Sequence, residues 1–345
     1  MPEIVVGVTG INSSDNPGPG VGVARSLKEA RDLDVRVIGL AYDAMETGIY
    51  LDWVIDRSFI IPYASAGPGA LLERLRYIKS VAGLDFVIPC LDIELPLFTR
   101  IEQALAQEGI ATFLPTPKQF KLRGKDRLVE VAPAIELSLP KTRVVSSVDD
   151  LNAAMKELTF PLVVKGTHYN ALRAYTTQEA FDCFHSMLAQ SGYPIILQEI
   201  VKGEELNMIA LGDGEGGCLG QVGMKKISTT SIGKIWTGVT VRNQPMIDAA
   251  YRFMEVYRWR GAFELECIAD GEKVYLIEIN PRFPAWVYFA TAVGVNLPAA
   301  IVRTALGLPP VAPETYETGR LYVRHTEELI TDLTTFQKMV TRGEN

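Results

Sequence analysis

Along residues 1–115, short apolar runs alternate with stretches whose apolar side chains recur every three or four positions. IVVGVTG (4–10), VRVIGLAY (35–42), DFVIPC (85–90) and IATFL (110–114) predict buried strands. Val23, Leu27 and Ala30 share one helical face. So do Leu71, Leu75, Ile78 and Ala82, and Leu97, Ile101 and Leu105. Strands alternating with helices predict an open, doubly wound α/β sheet.

From residue 116 the pattern changes to α+β. Thr116-Pro117 predicts a helix start, and the helix is expected to run through Arg123-Gly124-Lys125-Asp126-Arg127. KTRVV (141–145) predicts a short strand, and Ser147 with Asp150 opens a helix through Leu158. FPLVVKG (160–166) is a buried strand ending in Lys165. A lysine there needs an anion, or else it emerges into a cleft. Thr176 with Glu179 opens another helix. IILQEIVKGEEL (195–206) is an apolar strand interrupted by polar residues. NMIALGD, CLGQVGMKK and KIWTGVTV follow as strands, and QPMIDAAYRFMEVYRW (244–259) as an amphipathic helix.

Residues 261–284, GAFELECIADGEKVYLIEINPRFP, predict a hairpin around Asp270-Gly271. Alternation puts Glu264 and Glu266 on one face of the first strand, and Val274, Leu276, Glu278 and Asn280 on one face of the second. Carboxylates inside strands this apolar need a partner, since an unpaired buried charge is costly. Mg²⁺ is such a partner, because it takes one or two carboxylates together with substrate phosphates. Glu266, Glu278 and Asn280, with Arg282 beyond them, suit a nucleoside triphosphate and its metal. A two-residue Asp-Gly turn would set Glu266 opposite Tyr275 and place Glu266 and Glu278 on opposite faces. The metal reading therefore expects a loop of three or five residues. The alternative is a hairpin with one wet face and exposed acids.

Composition narrows the field. The 345 residues allow two or three domains, and 48% hydrophobic with 22% charged residues suits a globular chain with a real core. A net charge of −7 argues against nucleic acid or an anionic membrane as the partner. No apolar run approaches the length of a membrane span, and MPEIVVGVTG starts a strand at once, so a cytoplasmic protein without a leader is expected. Cys90, Cys183, Cys218 and Cys267 are scattered and predict reduced thiols. GINSSDNPGPGVGV (10–23) has glycines after a first strand but lacks the tight G-x-G-x-x-G turn of dinucleotide sites. An NAD-dependent oxidoreductase is thereby a weak alternative. Asp92 and Glu94 either face a substrate amine or cap the helix near Pro96, and the cap is favoured.

The string IEINPRF resembles the E-[IVM]-N-x-R signature of ATP-grasp enzymes. FPLVVK resembles their phosphate-lysine strand and GKDR their other lysine string. The motifs stand in the right order over residues 1–310. The resemblance implies a Rossmann-like domain at 1–115 and an ATP-grasp domain at 116–310. The latter divides into a smaller lid (about 125–200) and a larger part (about 201–310), with 311–345 an extension of unassigned role. It implies ATP on Lys125 and Lys165, adenine on the backbone of Glu199 and Val201, and ribose on Glu205. Mg²⁺, or Mn²⁺ in its place, would sit on Glu266, Glu278 and Asn280, with Arg282 at the transferring phosphate. Lys225, Lys226 or Lys234 of the loop KKISTTSIGK could reach the γ-phosphate, and Lys225 is the candidate carried forward. Nothing is carried over to Glu264. The usual Gly-rich lid loop is replaced by THYNALRAYT (167–176), where His168, Asn170 and Arg173 could meet phosphate. The stretch NPRFPAWVYFATAVGVNLP looks closer to the carbamoyl-phosphate-synthase-like branch than to the D-alanine ligases, yet the chain is too short for that whole enzyme. The expectation is a stand-alone ligase acting on a small-molecule carboxylate and an amine or thiol through an acyl phosphate, with a homodimer compatible. A non-catalytic ATP-binding relative is the alternative.

Overall fold

The computed structural model describes residues 3–12, 17–167, 171–230, 233–310 and 315–345. Ile4–Val8 (β1), Val35–Ala41 (β2), Arg57–Ile60 (β3) and Phe86–Ile88 (β4) form a parallel sheet in the order β3-β2-β1-β4. β1 and β4 are buried along their whole length, as a parallel sheet covered on both faces requires. IATFL does not become a strand. Only Ala111 bridges Phe86, because β4 is three residues long and Pro115 cannot extend a ladder. The edge strand β3, RSFI, carried too short an apolar signal to be expected.

The glycines of the first loop serve close backbone packing. A Cβ on Gly18 would stand 2.2 Å from the Gly10 carbonyl oxygen, and one on Gly20 would stand 2.2 Å from that of Thr9. Residues 13–16 of this loop lie outside the described residues. The Glu94 cap is also corrected. Glu94 occupies the N-cap of helix Leu95–Gln107 without capping it. Its buried carboxylate instead accepts the Cys90 and Leu91 amides at 2.7 and 2.9 Å and the Thr9 and Tyr42 hydroxyls.

A second, antiparallel sheet contains Thr142–Val145 (β5), Leu162–Lys165 (β6), Ala171–Ala174 (β7) and Ile195–Glu199 (β8), in the order β5-β8-β6-β7. Helices Val148–Glu157 and Thr177–Ser191 cover one face, where Leu151, Phe184 and Met187 pack on Leu162, Val164 and Leu197. Both helices carry the expected caps, Ser147 to the Asp150 amide and Thr176 to the Glu179 amide. Alternation turns Val163 and Lys165 to the opposite face. The helix expected through 123–127 is broken there. Gly124 is extended, and the Lys125 amide bonds the Thr167 carbonyl at 3.1 Å instead of a helical partner.

The third sheet holds Glu204–Asp213 (β9), Cys218–Thr229 (β10), Ile235–Thr240 (β11), Arg260–Asp270 (β12), Lys273–Asn280 (β13) and Leu321–Val323 (β14), in the order β13-β12-β9-β10-β11-β14. On one face, helices Leu128–Ala134 and Gln244–Tyr257 bury Phe253, Trp259 and Phe263 with Leu265 and Leu276. On the other, helices Val287–Ala292 and Leu297–Ala305 share one core with β1 and β2, joining Val6, Val8 and Val37 to Leu211 and Met224. The tail of unassigned role adds β14 beside β11. It then adds helix Leu333–Arg342, and its last residues run along β3, with the Ile60 amide on the Gly343 carbonyl at 2.8 Å. That contact covers a sheet edge that would otherwise be open.

The Gly20 contact gives a stability test. Gly20→Ala should lower unfolding stability by about 1–3 kcal/mol through backbone displacement. Gly69→Ala, where an added Cβ meets nothing within 4 Å, should leave it unchanged or raise it. Urea midpoints of both variants check the contrast.

Candidate active site

The hairpin of β12 and β13 turns on two residues, Gly271 and Glu272, because Asp270 pairs with Lys273. An odd loop is therefore not what brings the acids together. A bulge does so. The ladder runs Cys267–Leu276 and then Glu266–Glu278, leaving Ile277 unpaired. The extra residue corrects the phase, so Glu266 and Glu278 face each other. The simple alternation expected for β13 holds only up to the bulge. Val274 and Leu276 point into the aromatic core, and beyond the bulge it is Ile279 that does so, while Glu278 and Asn280 turn away.

Each carboxylate has a lysine. Lys226 Nζ lies 2.7 Å from Glu266 Oε2 and 3.5 Å from Glu205 Oε2. Lys125 Nζ lies 3.4 Å from Glu278 Oε1. Burial works against the charge on Glu266, but Lys226 and Arg282 outweigh it and hold the carboxyl below its ordinary range. Glu278 is raised by burial and by Glu266, with Lys125 opposing. Lys226 is held above the ordinary lysine value because Glu266 and Glu264 outweigh its burial. Lys165, 5% exposed, donates to Gln198 Oε1 at 2.8 Å. Burial and then Lys125 push its ammonium down to about 8, with Glu278 opposing. Lys125, Lys165 and Glu278 thus form one electrostatic cluster, built where β6 ends against β13.

Asn280 Nδ2 donates to Glu266 Oε1 and Glu264 Oε2, both at 3.0 Å. Glu264 is buried and also accepts Asn207 Nδ2 at 2.6 Å and Trp286 Nε1 at 2.7 Å. Burial and Glu266 raise its carboxyl to about 7. Arg282 Nε bonds Asp92 Oδ2 at 2.7 Å, and Asp92 Oδ1 takes Arg123 at 2.9 Å. Asp92 is therefore the anchor that holds two arginines at the sheet junction.

A cleft of about 490 Å³ runs from Lys125, Lys165 and Glu278 past Arg173 to Glu199, Val201 and Glu205. The Glu199 amide donates to the Lys141 carbonyl at 3.0 Å. His168 and Asn170 lie outside the described residues.

Lys225 is not brought to this cluster. It pairs with Glu204 on the other side of β10, and Lys226 takes the place beside Glu266. Lys234 bonds the Pro17 carbonyl at 3.1 Å. Alternation carried the signal. Val222 and Met224 face the shared core, so Lys226, two further on, shares their side and Lys225 does not. Glu264, Asn207, Gln198 and Trp286 gave no motif and act by holding the others.

Among the described residues no group of three or more His, Cys, Asp or Glu is placed to hold a metal ion by itself. The donor set still fits Mg²⁺, which takes one or two carboxylates and completes its shell with phosphate and water. Two facing carboxylates, offset by Lys125, Lys226 and Arg282, provide that.

Among the described residues, three sheets enclosing a charged cleft, with two lysines and a carboxylate at its inner end, define a mixed α/β architecture. Residues 192–329 match the family model described as "ATP-grasp in the biosynthetic pathway with Ter operon", and over that stretch the chain is similar to ATP-grasp proteins. It is 24% identical over 164 residues to the carbamoyl phosphate synthase large chain of Clostridium acetobutylicum, a match covering 43% of this chain and 15% of that one. The chain therefore spans a small part of that relative. A biotin carboxylase from Campylobacter jejuni in a β,γ-ATP complex has a TM-score of 0.71 at 14% identity, over 92% of this chain and 74% of that one. An L-amino acid ligase from Bacillus licheniformis has a TM-score of 0.63 at 16% identity, over 88% and 74%. These likenesses show the fold. No helix among the described residues is long and apolar enough to cross a membrane.

Lys165 makes stability depend on pH. Its folded value of about 8 lies below the ordinary lysine value, so the unfolded chain binds the extra proton. Its unfavourable contribution is complete below pH 8 and disappears as pH rises towards 10. Relative to Lys165→Met, the wild-type protein should gain stability across pH 8–10. Urea midpoints of both proteins at pH 7, 8, 9 and 10 measure the gap, and a constant gap contradicts the assignment.

Proposed function

We propose that the chain is an ATP-dependent ligase that joins a small-molecule carboxylate to an amine through an acyl phosphate, releasing ADP and phosphate. The observation that carries this reading is the bulge-set pair Glu266 and Glu278, with Lys125 and Lys165 beside it at the inner end of the cleft. The large and small sheets of 116–310 form the nucleotide clamp, and 1–115 forms one wall of the acceptor side. The tail supplies a further wall.

In this reading the adenine edge meets the Glu199 carbonyl and the Val201 amide, and Glu205 takes the ribose hydroxyls. Lys125 and Lys165 bind the polyphosphate, with Arg173 and Lys226 as further cations. Glu266, Glu278 and Asn280 would hold Mg²⁺ or Mn²⁺, which would supply charge neutralisation to the phosphates. Arg282, fixed by Asp92, faces the transferring phosphate. Lys125 and Lys226 offset the carboxylates until nucleotide and metal arrive, then turn to phosphate oxygens. The carboxylate substrate attacks the γ-phosphorus and ADP leaves. The amine then attacks the acyl carbon and phosphate departs.

Glu278→Gln should lower Mg²⁺-dependent ADP release about 100-fold or more while the circular dichroism spectrum stays unchanged. Lys165→Ala should weaken ATP binding about 10–100-fold, and unchanged affinity overturns its placement. Screening carboxylate and amine pairs for phosphate release tests the reaction itself. Tight Mg-ATP binding with no turnover on any pair would replace the ligase reading by a non-catalytic nucleotide-binding protein.

A further inference from the structure

A second cavity, of about 590 Å³, shares no lining residue with the cleft that holds Glu278. It sits between the start of the first helix, the segment 285–293 and the tail strand β14. Three of the chain's four tryptophans, Trp53, Trp236 and Trp286, line it. Flat aromatic walls of this kind favour a flat ligand body.

The charge lining the cavity has one sign. Arg25, Arg320 and Arg324 line it, and no carboxylate does so among the described residues. Arg25 and Arg320 already have acids, Glu29 and Glu317. Arg324 differs. It donates to the Ala285 carbonyl at 3.2 Å and the Tyr322 hydroxyl at 2.8 Å, both neutral, and its Nε is buried without a partner among the described residues. A half-buried guanidinium with a buried, unmet Nε and neutral partners calls for an anion, and its fork matches a carboxylate.

The cavity also abuts the chemistry. Trp286, on its wall, donates to Glu264, which is bonded to Asn280. Pro17, on its rim, accepts from Lys234. Burial, then Arg282 and Arg324, lower the Lys234 ammonium, so the Arg282 and Arg324 ends are electrostatic neighbours.

We propose that this cavity binds the acid to be activated, a carboxylate bearing a flat aromatic body, with its carboxylate on Arg324 and its ring against the tryptophans. This rests on the ligase reading and names its substrate class. The bound carboxylate oxygen forms the new bond to the γ-phosphorus as the bridging bond to the β-phosphate breaks. The electron pair leaves on ADP. Nitrogen attack then forms the amide, phosphate carries away the second pair, and the amine's proton goes to solvent.

Tryptophan fluorescence reports directly, since only Trp259 lies away from the cavity, in the aromatic core. Phenylacetate and 3-phenylpropionate should quench saturably. Phenylacetamide and acetate should bind about ten-fold more weakly or worse. Arg324→Gln should lose acid binding about ten-fold or more, and Arg324→Lys should restore part of it. Mg-ATP binding, followed by calorimetry on the same proteins, should be unchanged by Arg324→Gln. Amide binding equal to acid binding in the wild-type protein overturns the proposal without any variant. So does full acid binding by Arg324→Gln. If Mg-ATP binds and no aromatic acid does, the cavity assignment fails alone. If aromatic acids bind and Mg-ATP does not, the nucleotide reading fails and the cavity assignment stands.

Discussion

Two carboxylates directly opposite on adjacent buried strands repel one another. Two like charges about 4 Å apart near a protein surface cost about 4 kcal/mol. Glu266 and Glu278 are direct cross-strand partners that raise each other's cost, and the surroundings are arranged to offset it. Lys226 comes from β10, Lys125 from the loop before helix Leu128–Ala134, and Arg282 from just beyond β13. Glu264, fully bonded, holds the Asn280 amide against Glu266. None of these groups is stable in its place without the others, so the site is a unit in which charge is balanced before any ligand arrives.

The three sheets divide the work. A single core runs from β1 and β2 through helices Val287–Ala292 and Leu297–Ala305 to the large sheet, so the Arg282 and Asp92 junction is set by one packed body. The small sheet has its own core around Phe184. It presents its polar face, Lys165 and Arg173, across the cleft. The groups lining the cleft thus come from two cores, whereas the paired carboxylates and their supports come from one. The aromatic cavity lies on the single-core side and shares Trp286 with the carboxylate cluster.

Much of this was legible in the sequence. An acid in an apolar strand, a lysine ending FPLVV and alternating β and α patterns each imply a cost that only one kind of structure relieves. Glu266, Glu278, Asn280 and Lys165 were accessible for that reason. The bulge was not, because periodicity counts residues and a bulge is a miscount supplied by tertiary pairing. Lys226 was lost to Lys225 for want of applying alternation to β10. Glu264 and Trp286 lack a motif because their role is to hold other residues. Glu94 had the look of a cap, but its carboxylate turns inward to the end of the parallel sheet. The tail gave only GRLYVRHTE, since an edge strand owes its place to the neighbour it joins.

The unpaired Ile277 has an implication for how this hairpin tolerates change in length. The bulge acts as a frame-setter: everything between it and the tip can grow or shrink by pairs of residues without disturbing the acids. A single residue added at the tip would only lengthen the turn, whereas one added within a strand between tip and bulge would put its neighbours out of phase. Length variation within these strands should therefore be even-numbered, and odd changes should appear in the turn or together with loss or relocation of the bulge.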